Sequence, residues 1–516
     1  MSTLGQTTKG IITGDNDRYM RLWWEVQTSR INFSAVSDDD AYASKMKWFP
    51  CTKGGNYRKW YGNKEYIMNW ENRGYKILND AKAEKRHSQD YYHHLKFQKG
   101  ISWSVLTAST RSFRIEDHNL IEHVGMAIFM HKPEDTLPTL AFLNSVVCSS
   151  YLTYLSPTVA VNAGEIGRLP FIHSDDYQRS ISNVVEDCIQ LSADDWDAFE
   201  TSWDFAEHPL IAYSRIEDQL NSIHTISQAF DVWKSATMDR FNQLKLNEEK
   251  LNQLFIEIYG LEDELSPKVK DSDITLREAD LQREIRSLIS YAVGCMFGRY
   301  SLDVSGLVYT GGEWDASKYT QFQPDKDAII PICDDEFFED DIVGRFVKFV
   351  EMAFGKEALE ENLRFIADAL GGKGPSHDVI RSYFINDFYA DHLKVYQKRP
   401  IYWLFDSGKK NGFKCLIYMH RYQPDTIARI RTDYVHELQS RYRTAIDELE
   451  RRISDAATAE RVKLNKQLAK LQAQADELRD YEEKIHHLAD QMISIDLDDG
   501  VKVNYAKFQD VLAKIK

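Results

Sequence analysis

The longest uninterrupted pattern in the sequence is a segment that contains no glycine or proline, between Pro424 and Gly500. Within it an apolar residue recurs at every seventh position: Leu464, Leu471, Leu478, Ile485 and Met492. Such a repeat is typical of the seam along which α-helices pack in a coiled coil. We therefore predict a coiled coil or helical hairpin over 425–495, followed by a C-terminal tail over 496–516.

An earlier apolar series in this segment is out of phase with the later one by one residue: Val435, Tyr442, Leu449 and Ala456. A change of phase requires either a discontinuity in one helix or a reversal of the chain. We favour a reversal near Ala456-Ala457-Thr458, which gives an antiparallel hairpin. The hairpin could be an internal scaffold, a dimerisation arm or a partner-docking arm, and the sequence leaves these open.

The length and composition indicate several globular domains. A chain of 516 residues exceeds what one hydrophobic core organises, and its 43 % apolar residues are enough to build several cores. The six cysteines form no C-x-x-C pair, which predicts reduced thiols in a cytoplasmic protein. No apolar run reaches about 18 residues, so we expect no membrane segment.

Local patterning divides the rest of the chain. The predicted fold class is α+β multidomain, with a strand-rich domain followed by helical and mixed α/β domains and a long C-terminal coiled-coil helical arm. The predicted ranges are a lead-in over 1–40, the strand-rich domain over 41–172, an acidic connector over 173–215, a helical region over 216–300 and a mixed α/β domain over 301–424. In the last of these, two strand-like runs around a polar turn predict a β-hairpin over 401–418.

The net charge of −16 conceals a basic region. Between Lys45 and Arg114 there are 15 Lys and Arg against 5 Asp and Glu, interleaved with many aromatic residues. Phosphate neutralisation together with flat stacking surfaces is what a nucleic-acid contact face requires. The alternative is that the aromatics form a core and the cations its solvated face. Trp60, Trp70 and Trp103 are expected to be core residues.

Motifs of common catalytic chemistry are absent. The sequence has no H-E-x-x-H, G-x-S-x-G or P-loop motif. Pro324-Asp325-Lys326 supplies only the first half of a metal-dependent nuclease motif. The glycine-rich loop at 371–375 lacks the ending of a P-loop and is expected to follow a helix instead of a strand. We assign no catalytic residue, metal ligand or cofactor-binding residue in this chain.

Several segments resemble motifs of one protein family, the PglX family. They are Gly14-Asp15-Asn16-Asp17-Arg18, Lys47-Trp48-Phe49-Pro50, Ile67-Met68-Asn69-Trp70-Glu71-Asn72, Lys99-Gly100-Ile101-Ser102-Trp103-Ser104 and the ranges 53–63, 284–291, 298–303 and 398–403. PglX proteins are adenine-specific DNA methyltransferases of BREX bacteriophage-exclusion systems. The resemblance covers most of the chain.

The family also has an N-terminal S-adenosylmethionine domain with an Asn-Pro-Pro-Tyr type motif, and no Pro-Pro pair occurs in these 516 residues. The resemblance therefore implies the C-terminal half of such a protein, with 1–40 leading in from the methyltransferase domain and 41–172 forming the target-recognition domain. S-adenosylmethionine is implied as the cofactor of the parent methyltransferase only. Whether this chain is an enzyme by itself stays open.

The resemblance to the target-recognition domain makes residues of the basic region candidate DNA contacts. Lys and Arg suit phosphate or guanine, Asn suits adenine edges, and glycine allows the backbone to approach closely. The candidates are Lys53, Gly54, Gly55, Asn56, Arg58, Lys59, Asn63, Lys64, Asn72, Ser102, Ser104, Arg111 and Arg114.

Two functions follow from the sequence. The first is DNA target recognition for an adenine (N6) methyltransferase in phage defence, with double-stranded DNA as the partner. The second is a protein-interaction scaffold that docks other BREX subunits, or an acidic phage inhibitor that mimics DNA. A third possibility, an intact methyltransferase, needs a cofactor site that the sequence does not show.

Overall fold

A computed structural model describes residues 1–79, 90, 93–105, 111–156, 160–215, 217–218, 221–222 and 225–516. The chain forms two compact units. Unit 1 comprises Met1–Trp23, Thr28–Phe205 and Trp233–Ala279, and unit 2 comprises Trp24–Gln27, Ala206–Val232 and Asp280–Lys516. Both units contain helices and strands, which confirms the α+β multidomain class.

The strands are short. They are β1 (Gly5–Thr8), β2 (Met20–Leu22), β3 (Trp48–Thr52), β4 (Tyr66–Asn69), β5 (Gly100–Ser104), β6 (Phe113–Glu116), β7 (Leu120–Ile121), β8 (Gly125–Met130), β9 (Glu217–Asp218), β10 (Asn221–Ser222), β11 (Ile329–Pro331), β12 (Tyr402–Asp406) and β13 (Lys414–Tyr418).

The helices of the first part of the chain are α1 (Asn16–Tyr19), α2 (Asp38–Ser44), α3 (Glu71–Asn79), α4 (Thr136–Asn144), α5 (Val146–Leu155), α6 (Ala163–Arg168), α7 (Asp175–Trp196), α8 (Pro209–Ser214) and α9 (Ile226–Tyr259). Those of the second part are α10 (Leu281–Met296), α11 (Ile342–Phe354), α12 (Leu359–Ala369), α13 (Ser376–Asn386), α14 (Phe388–Val395), α15 (Thr426–Arg429), α16 (His436–Asp455), α17 (Thr458–Ala489) and α18 (Gly500–Ala506). A π-helical turn, Ile430–Val435, joins α15 to α16.

Unit 1 contains two four-stranded sheets, with strand orders β1-β8-β5-β6 and β2-β4-β3-β7. All their pairings are antiparallel except that between β3 and β7. Strand β8 serves two hydrophobic cores because successive side chains point to opposite faces of a sheet. Met126 and Ile128 enter one core, while Ala127 and Phe129 enter the other.

The first core lies between the β1-β8-β5-β6 sheet and helices α4, α5, α7 and α9. Trp103 and Phe113 from the sheet belong to the same cluster as Phe142 of α4 and Phe255 of α9. The second core holds Phe129 together with side chains of the other sheet, such as Phe49 and Met68. Trp60, Trp70 and Trp103 are buried, as the sequence predicted. The loops that connect the strands of unit 1 therefore begin and end on strands whose side chains are packed in these two cores.

The structure differs from the sequence-based boundaries at three places. The range 173–215, expected to be a connector, contains helix α7, whose apolar residues at i, i+3, i+4 and i+7 enter the first core: Ile181, Val184, Val185 and Cys188. The lead-in over 1–40 supplies strands β1 and β2 to the two sheets of unit 1. The tail over 496–516 contains helix α18 and buries Leu512, which pairs with Phe405. In each case distant partners bury a segment that looks polar in isolation.

Unit 2 is built around a three-stranded antiparallel sheet, with strand order β11-β13-β12. The predicted β-hairpin over 401–418 is confirmed, with Trp403 opposite Ile417. The loop over 371–375 joins helix α12 to helix α13, so it follows a helix as expected.

The helical segment of unit 2 reverses direction at Ala456-Ala457, between α16 and α17. His436 near the start of α16 contacts Glu482 near the end of α17, with 3.2 Å between Nε2 and Oε1, so the two helices are antiparallel. The chain reversal thus lies where the change of phase placed it, and the coiled-coil character stays a prediction.

All six cysteines are free and buried. Burial raises the pKa of the Cys148 thiol, which keeps it protonated and unreactive. Within the described part of the chain, we find no helix with the length and apolar character needed to span a membrane.

Candidate nucleic-acid interface

Residues 53–56, here called the glycine loop, follow strand β3 and bring six of the predicted DNA contacts together, four in the loop and two, Asn63 and Ser104, that donate hydrogen bonds to it. Gly54 and Gly55 have φ angles of +83° and +142°, which favour glycine. Ser104 Oγ donates to the carbonyl of Gly55 at 3.0 Å, and Asn63 Nδ2 donates to the carbonyl of Asn56 at 2.9 Å. A Cβ atom on Gly55 would lie 2.7 Å from the Asn63 side chain. The loop is therefore fixed in shape, with Gly55 and Asn56 exposed.

Two lysines beside the glycine loop lie over aromatic rings. The Nζ atom of Lys53 is 4.8 Å from the ring centre of Tyr66, and that of Lys64 is 3.9 Å from the ring centre of Tyr61. Both lysines are partly exposed. A cation held over a ring keeps its charge and its N–H donors. These two ammonium groups can reach a phosphate in solution.

A second exposed element follows strand β4. Asn72, Arg73 and Gly74 have left-handed φ angles of 51°, 57° and 69°. A left-handed conformation at Asn72 or Arg73 costs about 1 kcal/mol or more. A Cβ atom on Gly74 would come within 2.3 Å of the Trp70 ring, so glycine is required there. The turn leaves the side chain of Asn72 exposed.

Contacts from helix α2 hold this left-handed turn in place. Trp70 Nε1 donates to the Asp38 carboxylate at 2.7 Å. Arg73 pairs with Asp39, and its guanidinium lies 4.9 Å from the ring centre of Tyr42. Asn72 is thus presented from a fixed backbone.

Six of the predicted DNA contacts are corrected by the structure because they are buried: Gly54, Arg58, Lys59, Asn63, Ser102 and Arg114. Gly54 and Asn63 hold the shape of the glycine loop from inside. Arg58 is 7 % exposed and donates from Nη2 to the Asp195 carboxylate at 2.6 Å. Lys59 is 6 % exposed and pairs through Nζ with Glu248 at 2.6 Å. Both carboxylates come from helices, α7 and α9. These cations hold helices against the sheet and do not face solvent.

Ser102 and Arg114 are both 0 % exposed. Ser102 Oγ donates to Glu116 at 2.5 Å, and Arg114 Nη1 donates to the carbonyl of Arg58 at 3.2 Å. Burial lowers the pKa of Arg114. Arg111 is partly exposed and donates to the carbonyl of Ser156 at 2.8 Å, so its role in DNA contact stays a prediction.

The carboxylates that neutralise the basic region were missed by the sequence reasoning. Asp195 is 137 residues from Arg58, and Glu248 is 189 residues from Lys59. Burial by itself lowers the pKa of Lys59, but the Glu248 carboxylate outweighs it and the net shift of the pKa is upward. The sequence offered one signal for these pairs, the run of acidic residues around Asp195.

Unit 2 holds a cluster of three carboxylates, Asp325, Asp327 and Asp340, whose nearest oxygens lie within 4.8 Å of one another. Tyr434 Oη contacts Asp340 at 2.6 Å and Asp327 at 3.1 Å. Burial and a hydrogen bond with the Asp327 carboxyl group raise the pKa of Asp325 to about 7. The cluster includes the aspartate of the half nuclease motif, and its geometry fits carboxyl groups that share a proton.

The raised pKa of Asp325 predicts a pH dependence. The folded carboxyl group binds its proton more tightly than the unfolded one, whose pKa is about 3.9. The stability of unit 2 should therefore fall as the pH rises from about 4 to about 7, by about 1.4 kcal/mol at most for each unit of pKa shift. The measurement is denaturant unfolding across this pH range. Asp325→Asn should reduce this slope, because the pKa values of Asp340 and Asp406 are also raised by burial, whereas the exposed control Glu339→Gln should keep it. A slope unchanged in Asp325→Asn would contradict the assignment.

No protein-family model matches the chain. Over nearly its whole length the chain is similar to adenine-specific methyltransferases. It is 43 % identical over 509 residues to the adenine-specific methyltransferase PglX of Lacticaseibacillus casei (strain Zhang), covering 97 % of this chain and 42 % of the relative.

A second relative is the adenine-specific methyltransferase BrxX of Escherichia coli O9:H4 (strain HS), which is 36 % identical over 552 residues, covering 99 % of this chain and 43 % of the relative. The resemblance to PglX drawn from the motifs is confirmed. The chain spans less than half the length of the curated relatives that it matches.

Proposed function

We propose that this chain recognises the DNA target of a PglX-type adenine-specific methyltransferase in BREX phage defence. The observation that carries the proposal is the glycine loop, a rigid segment that exposes Gly55 and the amide side chain of Asn56, with the partly exposed cations Lys53 and Lys64 beside it. Lys53 and Lys64 neutralise phosphates, which fixes the position of the duplex without reading its sequence. The exposed Gly55 lets the backbone come close to the DNA.

Sequence reading is assigned to the exposed amides. An asparagine side chain pairs with the N6 and N7 edge of adenine through two hydrogen bonds, and each such pair discriminates by about 1–3 kcal/mol. Asn56 in the glycine loop and Asn72 in the left-handed turn are both exposed and both presented from a fixed backbone. A fixed backbone reduces the entropy lost on binding.

Methyl transfer is assigned to a part of the methyltransferase outside this chain. Methylation of adenine in duplex DNA requires the base to be flipped into a catalytic pocket. The sequence has no Asn-Pro-Pro-Tyr motif, and the glycine-rich loop over 371–375 connects two helices, unlike a cofactor loop that follows a strand. The residues of this loop do not fit S-adenosylmethionine.

Partners follow from this proposal. Double-stranded DNA is the ligand. The protein partners would be the catalytic part of the methyltransferase and other subunits of the defence system. Docking of such subunits is the competing function. It predicts co-purification with the subunits and no DNA binding by the chain alone.

The test is selection of bound duplexes from a random-sequence pool by the purified chain, followed by sequencing. The unaltered chain should enrich one motif. Asn56→Ala should relax the preference at one base pair, by about 1–3 kcal/mol. Lys53→Ala/Lys64→Ala should weaken binding to all duplexes and reduce the salt slope by about two, since each phosphate contact contributes about 0.9.

The matched control is Lys99→Ala, an exposed lysine just before β5, at the opposite end of that strand from Ser104. It should bind and select like the unaltered chain. Target recognition by this chain would be refuted by an unenriched pool, or by an Asn56→Ala variant that selects the same motif with the same strength.

A further inference from the structure

The hairpin formed by α16 and α17 has a packed base and an exposed end. Toward the base, the buried side chains of the two helices include Leu438, Tyr442, Leu478, Tyr481 and Ile485. Residues 451–470, here called the hairpin tip, are all described, and among them only Leu464 is buried. The tip therefore contacts little except its own partner helix.

Charge is unevenly distributed along the hairpin, although Asp447, Glu448 and Glu450 of α16 directly precede the tip. The tip carries six basic residues, Arg451, Arg452, Arg461, Lys463, Lys466 and Lys470, against the two acidic residues Asp455 and Glu460. The part of α17 beyond the tip has the opposite balance, with five acidic residues, Asp476, Glu477, Asp480, Glu482 and Glu483, against Arg479 and Lys484. A surface that serves only solubility mixes both signs. This basic end stands out in a chain with a net charge of −16.

The three lysines of the tip lie along one side of α17. Lys463, Lys466 and Lys470 are spaced i, i+3 and i+7, which places them on one helix face over about 10 Å. All three are exposed. Lys470 pairs with Asp334, whereas Lys463 and Lys466 have no ion pair within the part of the chain that the structure describes. Arg58 and Lys59, in contrast, are each paired with a buried carboxylate inside unit 1.

We propose that the hairpin tip binds the phosphate backbone of duplex DNA, as a contact in unit 2 that does not read sequence. Duplex DNA carries one negative charge per about 1.7 Å of its axis, so a row of lysines over about 10 Å meets several phosphates. This contact is distinct from target recognition, because it is made by a charged helix face. That face has neither an asparagine side chain on a fixed backbone nor a glycine loop. It adds affinity that is equal for every sequence.

The experiment measures binding of the full 516-residue chain to one duplex of arbitrary sequence over a salt series. The tip variant is Lys463→Glu/Lys466→Glu. The control, Arg479→Glu/Lys484→Glu, makes the same change of net charge at exposed positions of the same helix. The tip variant should lose about tenfold or more in affinity at moderate salt and about two in salt slope, while the control stays within about twofold. Equal affinity and slope for the two variants would overturn the proposal.

The outcomes separate this contact from target recognition. In the random-pool selection, the tip variant should bind less DNA and still enrich the same motif. An unaltered chain that enriches nothing, but loses affinity when the tip is changed, would refute target recognition and keep the tip contact. A chain that binds no duplex at low salt would refute both. Circular dichroism should show the same helix content in both variants, because the four changed side chains are exposed.

Discussion

Lys59→Met should destabilise unit 1 by about 3–5 kcal/mol, because it leaves the Glu248 carboxylate buried without its cation. Glu248 is almost fully buried, and the Lys59 Nζ lies 2.6 Å from its Oε2 atom. The other carboxylate oxygen accepts a hydrogen bond from Trp60 Nε1 at 2.8 Å. The measurement is denaturant unfolding with hydrogen exchange of unit 1 peptides.

A compensating variant tests this cause. In Lys59→Met/Glu248→Gln the charge is gone from both partners, and the glutamine Oε1 can still accept from Trp60. Replacing both members of a buried ion pair is often nearly neutral, so the double variant should recover most of the lost stability. The exposed control Lys99→Met should change the free energy of unfolding by less than about 0.5 kcal/mol. A single variant as stable as the unaltered chain would show that Glu248 is not buried in charged form.

Asp195→Ala is expected to have a similar cost, about 3–5 kcal/mol, because Asp195 holds two arginines. Its carboxylate accepts from Arg58 Nη2 at 2.6 Å and from Arg277 Nε at 3.2 Å, and Arg277 also donates its backbone N–H at 3.0 Å. Arg277 is partly exposed and can turn toward solvent, whereas Arg58 stays buried. The uncompensated guanidinium of Arg58 dominates the expected loss.

The effect of Asp195→Ala should depend on pH. Burial alone raises the pKa of Asp195, but the guanidinium groups of Arg277 and Arg58 outweigh it and the net shift is downward. The stabilisation is therefore present above the unfolded pKa of about 3.9 and is lost as the pH falls through the lower folded value.

The difference in unfolding free energy between the unaltered chain and Asp195→Ala should accordingly shrink in acid. The neighbouring exposed Asp194→Ala is the matched control and should cost less than about 0.5 kcal/mol. A loss that stays constant from pH 7 to pH 3 would mean that packing, and not charge, is the cause.

These two variants also bear on DNA binding. The sequence predicts that Arg58 and Lys59 contact DNA, so their removal should weaken binding and flatten its salt dependence. In the structure both are internal, and their loss acts through the stability of unit 1. DNA binding by the folded fraction of Lys59→Met/Glu248→Gln separates a direct contact of Lys59 with DNA from an effect on stability. That variant lacks the Lys59 cation and is expected to keep the fold.

Features set by neighbouring residues could be predicted from the sequence. The β-hairpin of β12 and β13 follows from two apolar runs around a polar turn. The reversal at Ala456-Ala457 follows from the change of phase in the apolar repeat. The Gly54-Gly55 pair predicts a loop with positive φ angles. Each of these depends on contacts within a few turns or one hairpin, where spacing along the chain fixes spacing in space.

Burial of the basic region could not be predicted in this way. Helix α7 looks like an acidic connector when its composition is read without its i, i+3 and i+4 spacing. Of the thirteen predicted contacts, those at Gly54, Arg58, Lys59, Asn63, Ser102 and Arg114 are internal. Gly55 and Asn56 of the glycine loop remain exposed, and hydrogen bonds from Ser104 and Asn63 hold them in place.

The sequence by itself determined the turns, the helix periods, the strand alternation and the resemblance to adenine-specific methyltransferases, because these are local in the chain or carried by motifs. Only the tertiary structure decided which cations of the basic region face solvent. Asp195 and Glu248 reach Arg58 and Lys59 from 137 and 189 residues away. A charge counts toward a nucleic-acid surface only when no buried carboxylate neutralises it, and which carboxylate lies within hydrogen-bond distance is fixed by how helices pack on a sheet.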